Sequence, residues 1–265
     1  EVPKKRRKFK NYVEIKGARE NNLKNIDVVF PLDCLTVITG VSGSGKSTLV
    51  KKILYPALQK HLFNTGEKPG QFTSLEGSYS HIKEIEYVDQ NPIGKNSRSN
   101  PISYIKAYDD IRDLFSKQNL SKIRNYQPKH FSYNVDGGRC EQCKGDGTVT
   151  IEMQFMADVH LECDACHGKR FKKEILEVQF DGKSINDILS LTVDDAMTFF
   201  EKNNLTKILN KIKPLQDVGL GYVQLGQSSS TLSGGEAQRI KLATYLTRGI
   251  TKEKVLFIFD EPTTG

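Results

Sequence analysis

The sequence predicts an α/β fold in which a mainly helical insertion carries a metal module of four cysteines. Three features support this prediction: a glycine-rich loop between an apolar run and an amphipathic stretch, a late apolar run that ends in two acids, and two Cys-x-x-Cys pairs between them. Of the 265 residues, 37% are hydrophobic and 27% are charged, which is typical of a folded globular protein. The apolar runs are far shorter than the ~18 residues that a membrane span needs, which argues against a membrane-embedded protein.

The first ten residues are strongly basic. Six of them are Lys or Arg and one is Glu, whereas the whole chain carries a net charge of only +7. Such a run is usually a solvated tail or linker, and the alternatives are a nucleic-acid contact or a localisation signal. We expect residues 1–10 to be a linker, and the net charge alone does not establish a nucleic-acid partner.

A P-loop follows the first predicted strands. GVSGSGKST matches G-x-x-x-x-G-K-[ST], with the apolar run Leu35–Thr39 before it and apolar residues at helical spacing after it. Strand, glycine-rich turn and helix is the arrangement in which backbone N–H groups cradle phosphates. Lys46 would then reach the β- and γ-phosphates, and Ser47 would bind Mg²⁺. The predicted nucleotide-binding residues are Gly40, Val41, Ser42, Gly43, Ser44, Gly45, Lys46, Ser47 and Thr48.

Two later segments complete a nucleotide site. Val255–Phe259 predicts an apolar strand that delivers Asp260 to the Mg²⁺ and leaves Glu261 to orient or deprotonate a water. Upstream, LSGGEAQR opens an amphipathic helix, where a hydroxyl and exposed N–H groups offer a second anion site. A helix cap is the plain alternative for the same residues. This second site is predicted to consist of Ser233, Gly234 and Gly235.

Four of the five cysteines form two Cys-x-x-Cys pairs on either side of residues 144–162. This spacing predicts zinc, because four thiolates suit tetrahedral Zn²⁺ and two close pairs can wrap the ion. Gly145 and Gly168 permit the tight turns that bring backbone N–H groups to the sulfurs. Disulfides or redox pairs are the alternative, but nothing else indicates an oxidising compartment. Cys34 is expected in the core, and His167 beside the site. The predicted ligands are Cys140, Cys143, Cys163 and Cys166.

Three motifs resemble those of ABC-type ATPases: GVSGSGKST is similar to Walker A, LSGGEAQR to the signature, and VLFIFDEP to Walker B. Gln90 in EYVDQ resembles the Q-loop glutamine that senses the γ-phosphate and Mg²⁺. The interval from Lys46 to Ser233 is far longer than in transporter ATPases, and it contains the four cysteines. GARENNLKNIDV, GGRCEQCKGDG, MQFMADV and CDACHGKR resemble the second, C-terminal nucleotide-binding half of the UvrA family, the A subunits of bacterial UvrABC excinucleases. The resemblance covers nearly the whole chain after about residue 11.

The resemblance implies a cytoplasmic ATPase that recognises damaged double-stranded DNA in nucleotide excision repair and the SOS response. It implies ATP, Mg²⁺ and Zn²⁺ as cofactors, a homodimer, and loading of UvrB. Glu261, Lys46 and Gln90 would be the catalytic residues, and the signature would face the partner's ATP. A UvrA-like ATPase of a resistance or regulatory type is the alternative, followed by an exporter ATPase subunit.

The motifs predict an interrupted ATPase core. Residues 1–10 are the linker, 11–95 the first part of the core, 96–215 the insertion with the zinc module at 140–166, and 216–265 the second part of the core. No switch histidine follows Walker B, so we expect a chain truncated there that alone turns over little ATP.

The flanks of the zinc module have an excess of positive charge. Residues 95–139 contain nine basic and four acidic side chains, and further Lys and Arg residues follow Cys166. Basic side chains contact phosphates without reading bases, which suits a sensor that must tolerate any sequence. We expect the module to contact DNA, and the alternative is that zinc only staples a small insertion.

Overall fold

The computed structural model describes residues 8–94, 98–151, 153, 159–247 and 254–262. They form two compact units. The first holds the described residues before Asp89 together with 254–260, and the second holds the described part of 89–247 together with 261 and 262. Within the described ranges, no helix is both long and apolar enough to cross a membrane.

Strands and helices alternate in the first unit, and helices dominate the second. The strands are β1 (Tyr12–Ala18), β2 (Ile26–Pro31), β3 (Ser74–Gly77), β4 (Glu84–Val88), β5 (Thr148–Ile151), β6 (Val159–Glu162), β7 (Gln179–Phe180), β8 (Lys183–Ser184) and β9 (Val255–Phe259). The α-helices are α1 (Tyr55–Phe63), α2 (Pro101–Tyr104), α3 (Tyr108–Ser116), α4 (Asn119–Ile123), α5 (Lys173–Leu176), α6 (Ile185–Ser190), α7 (Val193–Lys202), α8 (Thr206–Asp217) and α9 (Gly234–Thr247). A π-helical segment, Thr48–Leu54, leads directly into α1.

A three-stranded antiparallel sheet, in the order β2-β1-β3, forms one layer of the first unit. In β1, Val13 and Ile15 are buried while Glu14 and Lys16 are only partly so, the period-two pattern of a sheet with one covered face. The covered face packs against the helical segment that follows the P-loop. The apolar residues predicted to line that segment are all buried: Leu49, Ile53, Leu54, Ala57 and Leu58.

The predicted strand before the P-loop is wrong. Leu35–Thr39 has no regular secondary structure, and Leu35 and Val37 are 90% and 70% exposed. Cys34, which we expected in the core, is also exposed. An apolar strand of this kind is buried only where neighbouring strands flank it. None of the described strands pairs with Leu35–Thr39, and β9 pairs in parallel with β4.

The second unit has a helical core, as predicted for the insertion. Phe115, Phe131, Tyr133 and Phe200 are fully buried there among side chains of α3, α6, α7, α8 and α9. The signature helix α9 belongs to this unit, whereas the predicted division at residues 95/96 and 215/216 groups it with the Walker B strand. The two compact units are defined by contacts within the structure, whereas the predicted domains are defined by their motifs. The predicted domain boundaries therefore stay a prediction.

Some sequence predictions fall outside the described residues. These are most of the basic linker (1–7), residues 95–97, and most of the MQFMADV stretch (154–158).

Candidate nucleotide and metal sites

The P-loop closes around the side chain of its own lysine. The Lys46 ammonium donates hydrogen bonds to the backbone carbonyls of Gly40 and Val41, each at 2.9 Å. Both bonds lie at the exposed surface. A phosphate offers the ammonium a full negative charge in place of two neutral carbonyls, so an attraction between opposite charges replaces two ion–dipole contacts. The arrangement therefore suits a loop that exchanges its internal contacts for an anion.

Two asparagines that the sequence analysis did not single out tie the P-loop to the turn after β1. Asn21 Nδ2 donates to Thr48 Oγ1 at 3.3 Å, and Asn22 Nδ2 donates to the carbonyl of Gly43. Ser47 immediately precedes the helical segment, with backbone angles that are already helical. The only signal for the asparagines in the sequence is their place in the GARENNLKNIDV stretch.

The Walker B strand forms as predicted and runs parallel to β4 in register. Asp260 follows it, and its N–H donates to the carbonyl of Val88 at 3.1 Å. Tyr87 on β4 donates its hydroxyl to Asp260 Oδ2, also at 3.1 Å. The ring centroids of Tyr87 and Tyr55 are 5.1 Å apart, and the Lys51 ammonium lies 5.9 Å from the centroid of the Tyr87 ring. Tyr87 thus links the predicted magnesium carboxylate to the helical segment after the P-loop, a role with no sequence signal of its own.

The structure brings Gln90 and Glu261 together across 171 residues of sequence. Gln90 Nε2 donates a long hydrogen bond, 3.5 Å, to the backbone carbonyl of Glu261. Glu261 has a φ of +46°, which is unusual for a residue with a side chain and costs on the order of 1 kcal/mol. The predicted γ-phosphate sensor and the predicted general base are therefore neighbours, and the backbone at the base is strained.

Ser233 caps helix α9. Its Oγ accepts from the N–H of Glu236 at 3.2 Å, and Glu236 Oε2 accepts from the N–H of Ser233 at 2.8 Å, a reciprocal capping box. The Tyr222 hydroxyl donates to Glu236 Oε1 at 2.7 Å. Burial opposes ionisation of Glu236, but the hydrogen bonds from Tyr222 and Ser233 outweigh it and lower the pKa of this carboxyl. The helix-cap interpretation and the anion-site interpretation of the signature are thus compatible, because the cap uses one lone pair of the hydroxyl and leaves its hydrogen to donate.

The four predicted zinc ligands meet in one buried cluster. All four Sγ atoms lie within 4.8 Å of one another. Cys140 and Cys163 are 3.9 Å apart at Sγ, and Cys143 and Cys166 are 3.7 Å apart. A tetrahedron with Zn–S bonds of about 2.3 Å has S···S edges of about 3.8 Å. The cluster therefore has the size and donor set of a Zn²⁺ site, and all five cysteines of the chain are free of disulfides.

Backbone N–H groups point at the sulfurs, as the glycine positions predict. Gly147 N–H donates to Cys143 Sγ at 3.3 Å, and Gly145 before it has a φ of +89°. Burial raises the pKa of the Cys143 and Cys166 thiols. Burial also opposes ionisation of Cys163, but hydrogen bonds from backbone N–H groups outweigh it and lower the pKa of that thiol. Two of the four thiols thus resist ionisation, and a bound dication would make four thiolates compatible with burial. His167 is exposed and outside the cluster, as predicted.

Many of the basic side chains that flank the cluster are paired with acids. Arg98 contacts Asp146 at 3.0 Å, and Arg124 contacts Glu177 at 2.7 Å. Among the described residues, five exposed lysines of these flanks have no ion pair: Lys106, Lys122, Lys129, Lys169 and Lys173. The positive charge available to a polyanion is therefore smaller than the sequence excess, and it is carried mainly by lysines.

Comparison with known proteins gives matches along essentially the whole of this chain. Over 266 residues the chain is 53% identical to UvrABC system protein A of Clostridium perfringens, covering 100% of this chain and 28% of that protein. It is 52% identical to UvrABC system protein A of Bacillus subtilis, covering 99% of this chain and 27% of that protein. The crystal structure of UvrA2 from Deinococcus radiodurans superposes with a TM-score of 0.90 at 45% identity, covering 100% of this chain and 31% of that one.

No protein-family model matches the chain. The chain spans little more than a quarter of the length of the curated relatives that it matches. With identity above one half along essentially its whole length and the fold of UvrA2, this chain corresponds to a segment of the UvrA-family proteins.

Proposed function

We propose that this chain binds and hydrolyses ATP as part of a subunit that recognises damaged DNA in nucleotide excision repair. The observation that carries the proposal is the combination of a P-loop, a Walker B strand and a signature helix with a buried four-thiol cluster in one chain. The similarity of essentially the whole of this chain to a part of UvrABC system protein A supports it.

The ATP site is assembled from the P-loop and the end of β9. Backbone N–H groups of the P-loop and the Lys46 ammonium bind the β- and γ-phosphates once Lys46 leaves its carbonyl partners. The Ser47 hydroxyl and the Asp260 carboxylate supply the oxygen donors that Mg²⁺ prefers, and Tyr87 holds that carboxylate in place. When bound, the ion neutralises charge on the phosphoryl oxygens. Glu261 orients or deprotonates the attacking water, and Gln90 senses the γ-phosphate.

The signature of one subunit faces the ATP of its partner in a homodimer. Ser233 donates its hydroxyl hydrogen to that phosphate, and the N–H groups of Gly234 and Gly235 point the same way from the helix N-terminus. The capping box with Glu236 supports this role, because it fixes the Ser233 side chain without using its hydrogen.

The metal module contacts damaged double-stranded DNA. Cys140, Cys143, Cys163 and Cys166 hold Zn²⁺, which fixes the base of the β5–β6 hairpin. Hairpin side chains such as Leu161, Ile151 and Val159 are exposed. Exposed lysines on the flanks bind phosphates, a contact that is independent of sequence. In the cytoplasm, the DNA-bound dimer then loads UvrB.

The proposal is tested with the full-length protein by measuring ATP turnover with and without duplex DNA, and zinc content by elemental analysis. We expect one zinc for each copy of this chain, turnover that duplex DNA changes, and loss of turnover in the Lys46→Ala control. The regulatory or resistance-type alternative would be favoured instead if the zinc-bound protein does not bind duplex DNA and its ATP turnover is the same with and without DNA.

A further inference from the structure

We propose that Lys241 is a positioning residue for Gln90, the glutamine that senses the γ-phosphate in the proposed ATPase. Lys241 lies on the signature helix α9. Its ammonium donates hydrogen bonds to the carboxylate and to the backbone carbonyl of Asp89, the latter at 3.1 Å. Asp89 immediately precedes Gln90 in the chain. The inference rests on the proposed function, because positioning matters only if Gln90 acts in hydrolysis.

The ion pair between Lys241 and Asp89 is shielded from solvent. The two side chains are 13% and 16% exposed, whereas both partners of the Lys117–Asp113 pair are more than half exposed. Breaking a buried ion pair is costly because it leaves a charge uncompensated away from water. An exposed ion pair breaks at little cost, since water solvates both charges. The contact between Lys241 and Asp89 is therefore the more persistent of the two kinds. The N–H of Asn91 also donates to the Asp89 carboxylate, at 3.3 Å. Asp89 is therefore held both by its own turn and by α9.

Helix α9 contacts the segment after β4 at a second point, Gln90. A Cβ atom at Gly234 would lie 3.0 Å from both Cβ and Oε1 of Gln90, so only glycine fits here without displacing the glutamine. Gly234 begins α9, and Lys241 follows about two turns later. One rigid helix thus fixes the segment after β4 twice, once by close packing at Gln90 and once by an ammonium at Asp89.

This arrangement predicts a separation between catalysis and binding. In the proposed function the binding energy for ATP comes from the P-loop, whereas the hydrogen bonds of Lys241 are to Asp89. The placement of Gln90 relative to the reacting phosphate depends on the backbone at Asp89, which Lys241 holds. Loss of Lys241 should therefore slow hydrolysis and leave the affinity for ATP nearly unchanged.

The test is steady-state ATP hydrolysis by the full-length protein carrying Lys241→Met, which keeps the aliphatic stem and removes the charge. We expect kcat to fall by about tenfold, the scale of a small misplacement, and KM to stay within about twofold. Lys211→Met is the matched control, because it removes an ion pair to the mostly buried Asp110 in the same unit. Its kcat should stay within about twofold of wild type.

A double-mutant cycle with Gln90→Ala tests whether Lys241 acts through the glutamine. In the Gln90→Ala background, Lys241→Met should have no further effect on kcat. Asp89→Asn keeps the shape of the side chain and is expected to reproduce the loss, which preserves the test should Lys241→Met fail to fold. A folded Lys241→Met variant with wild-type kcat, or losses that add in the double mutant, would overturn the inference. A wild-type protein that does not hydrolyse ATP would instead refute the proposed function.

Discussion

Lys46 and Glu261 have separable roles in the proposed ATP site, since one bears a charge for phosphate and the other a base for water. In the full-length protein, Lys46→Ala should weaken ATP binding because the β/γ-phosphates lose a positive contact. Glu261→Gln should keep ATP binding and slow hydrolysis on the order of 100-fold, the usual size of a general-base contribution. Equilibrium binding of labelled ATP and single-turnover hydrolysis measure the two effects separately. Wild-type hydrolysis by Glu261→Gln would show that its carboxylate is not the base.

Asp110 is a residue whose charge state should be visible in the stability of the protein. Its carboxyl on α3 contacts Lys207 at 2.7 Å and Lys211 at 2.6 Å, both on α8. Burial opposes ionisation of Asp110, but the two lysines outweigh it and lower the pKa of the carboxyl. A carboxyl with a lowered folded-state pKa stabilises the protein fully above its unfolded value of about 3.9, and this stabilisation is lost as pH falls through the lowered pKa.

Asp110→Asn should therefore destabilise the protein near neutral pH, with a difference from wild type that shrinks below about pH 4. Denaturant unfolding across pH measures this difference. Asp113→Asn removes the exposed pair with Lys117 and is the control, with an expected effect below about 1 kcal/mol. A destabilisation by Asp110→Asn that is the same at every pH would contradict the role assigned to the ion pair.

Among the secondary-structure elements, the tight turn after Cys143 requires glycine, because a Cβ atom there would clash with the backbone. A Cβ at Gly145 would lie 2.1 Å from the carbonyl oxygen of Tyr133, and the φ of +89° is strained for any other residue. Gly145→Ala should therefore distort the turn that directs N–H groups at Cys143, and it should release zinc at lower chelator concentrations than wild type.

Gly182→Ala distinguishes the effect of a positive φ from the effect of the steric clash expected at Gly145. Gly182 has a comparable φ of +74°, but a Cβ there would meet nothing within 4 Å. Its chelator titration should match that of wild type, since the turn between β7 and β8 contributes no residue to the thiol cluster. Equal zinc retention by Gly145→Ala and wild type would refute the prediction.

Elements defined by local spacing could be predicted from the sequence, and elements that depend on distant partners could not. The four cysteines, the helix after Lys46 and the strand before Asp260 are encoded by short-range patterns, and the structure contains each of them. Leu35–Thr39 has the composition of a buried strand, but burial requires neighbours that the local pattern cannot supply. The contacts of Lys241 with Asp89 and of Tyr87 with Asp260 join positions more than 150 residues apart, so no local pattern indicated them.

In the proposed function, an ATP site and a metal-fixed hairpin act together in the recognition of damaged DNA. The hairpin can be shortened without touching the metal turns. Thr150 and His160 face each other in the β5–β6 register, so an Asn-Gly turn can replace residues 151–159 between them. Gly147 and its contacts with Cys143 and Cys163 then remain.

The most direct measurement is the ratio of the affinities of this hairpin-shortened, full-length protein for lesion-containing and undamaged duplex, at one fixed salt concentration. Wild type should prefer the damaged duplex. The variant should bind both duplexes alike while keeping its zinc and its ATP turnover without DNA. Unchanged discrimination by the variant, with zinc still bound, would leave the metal only a stapling role and would contradict the account.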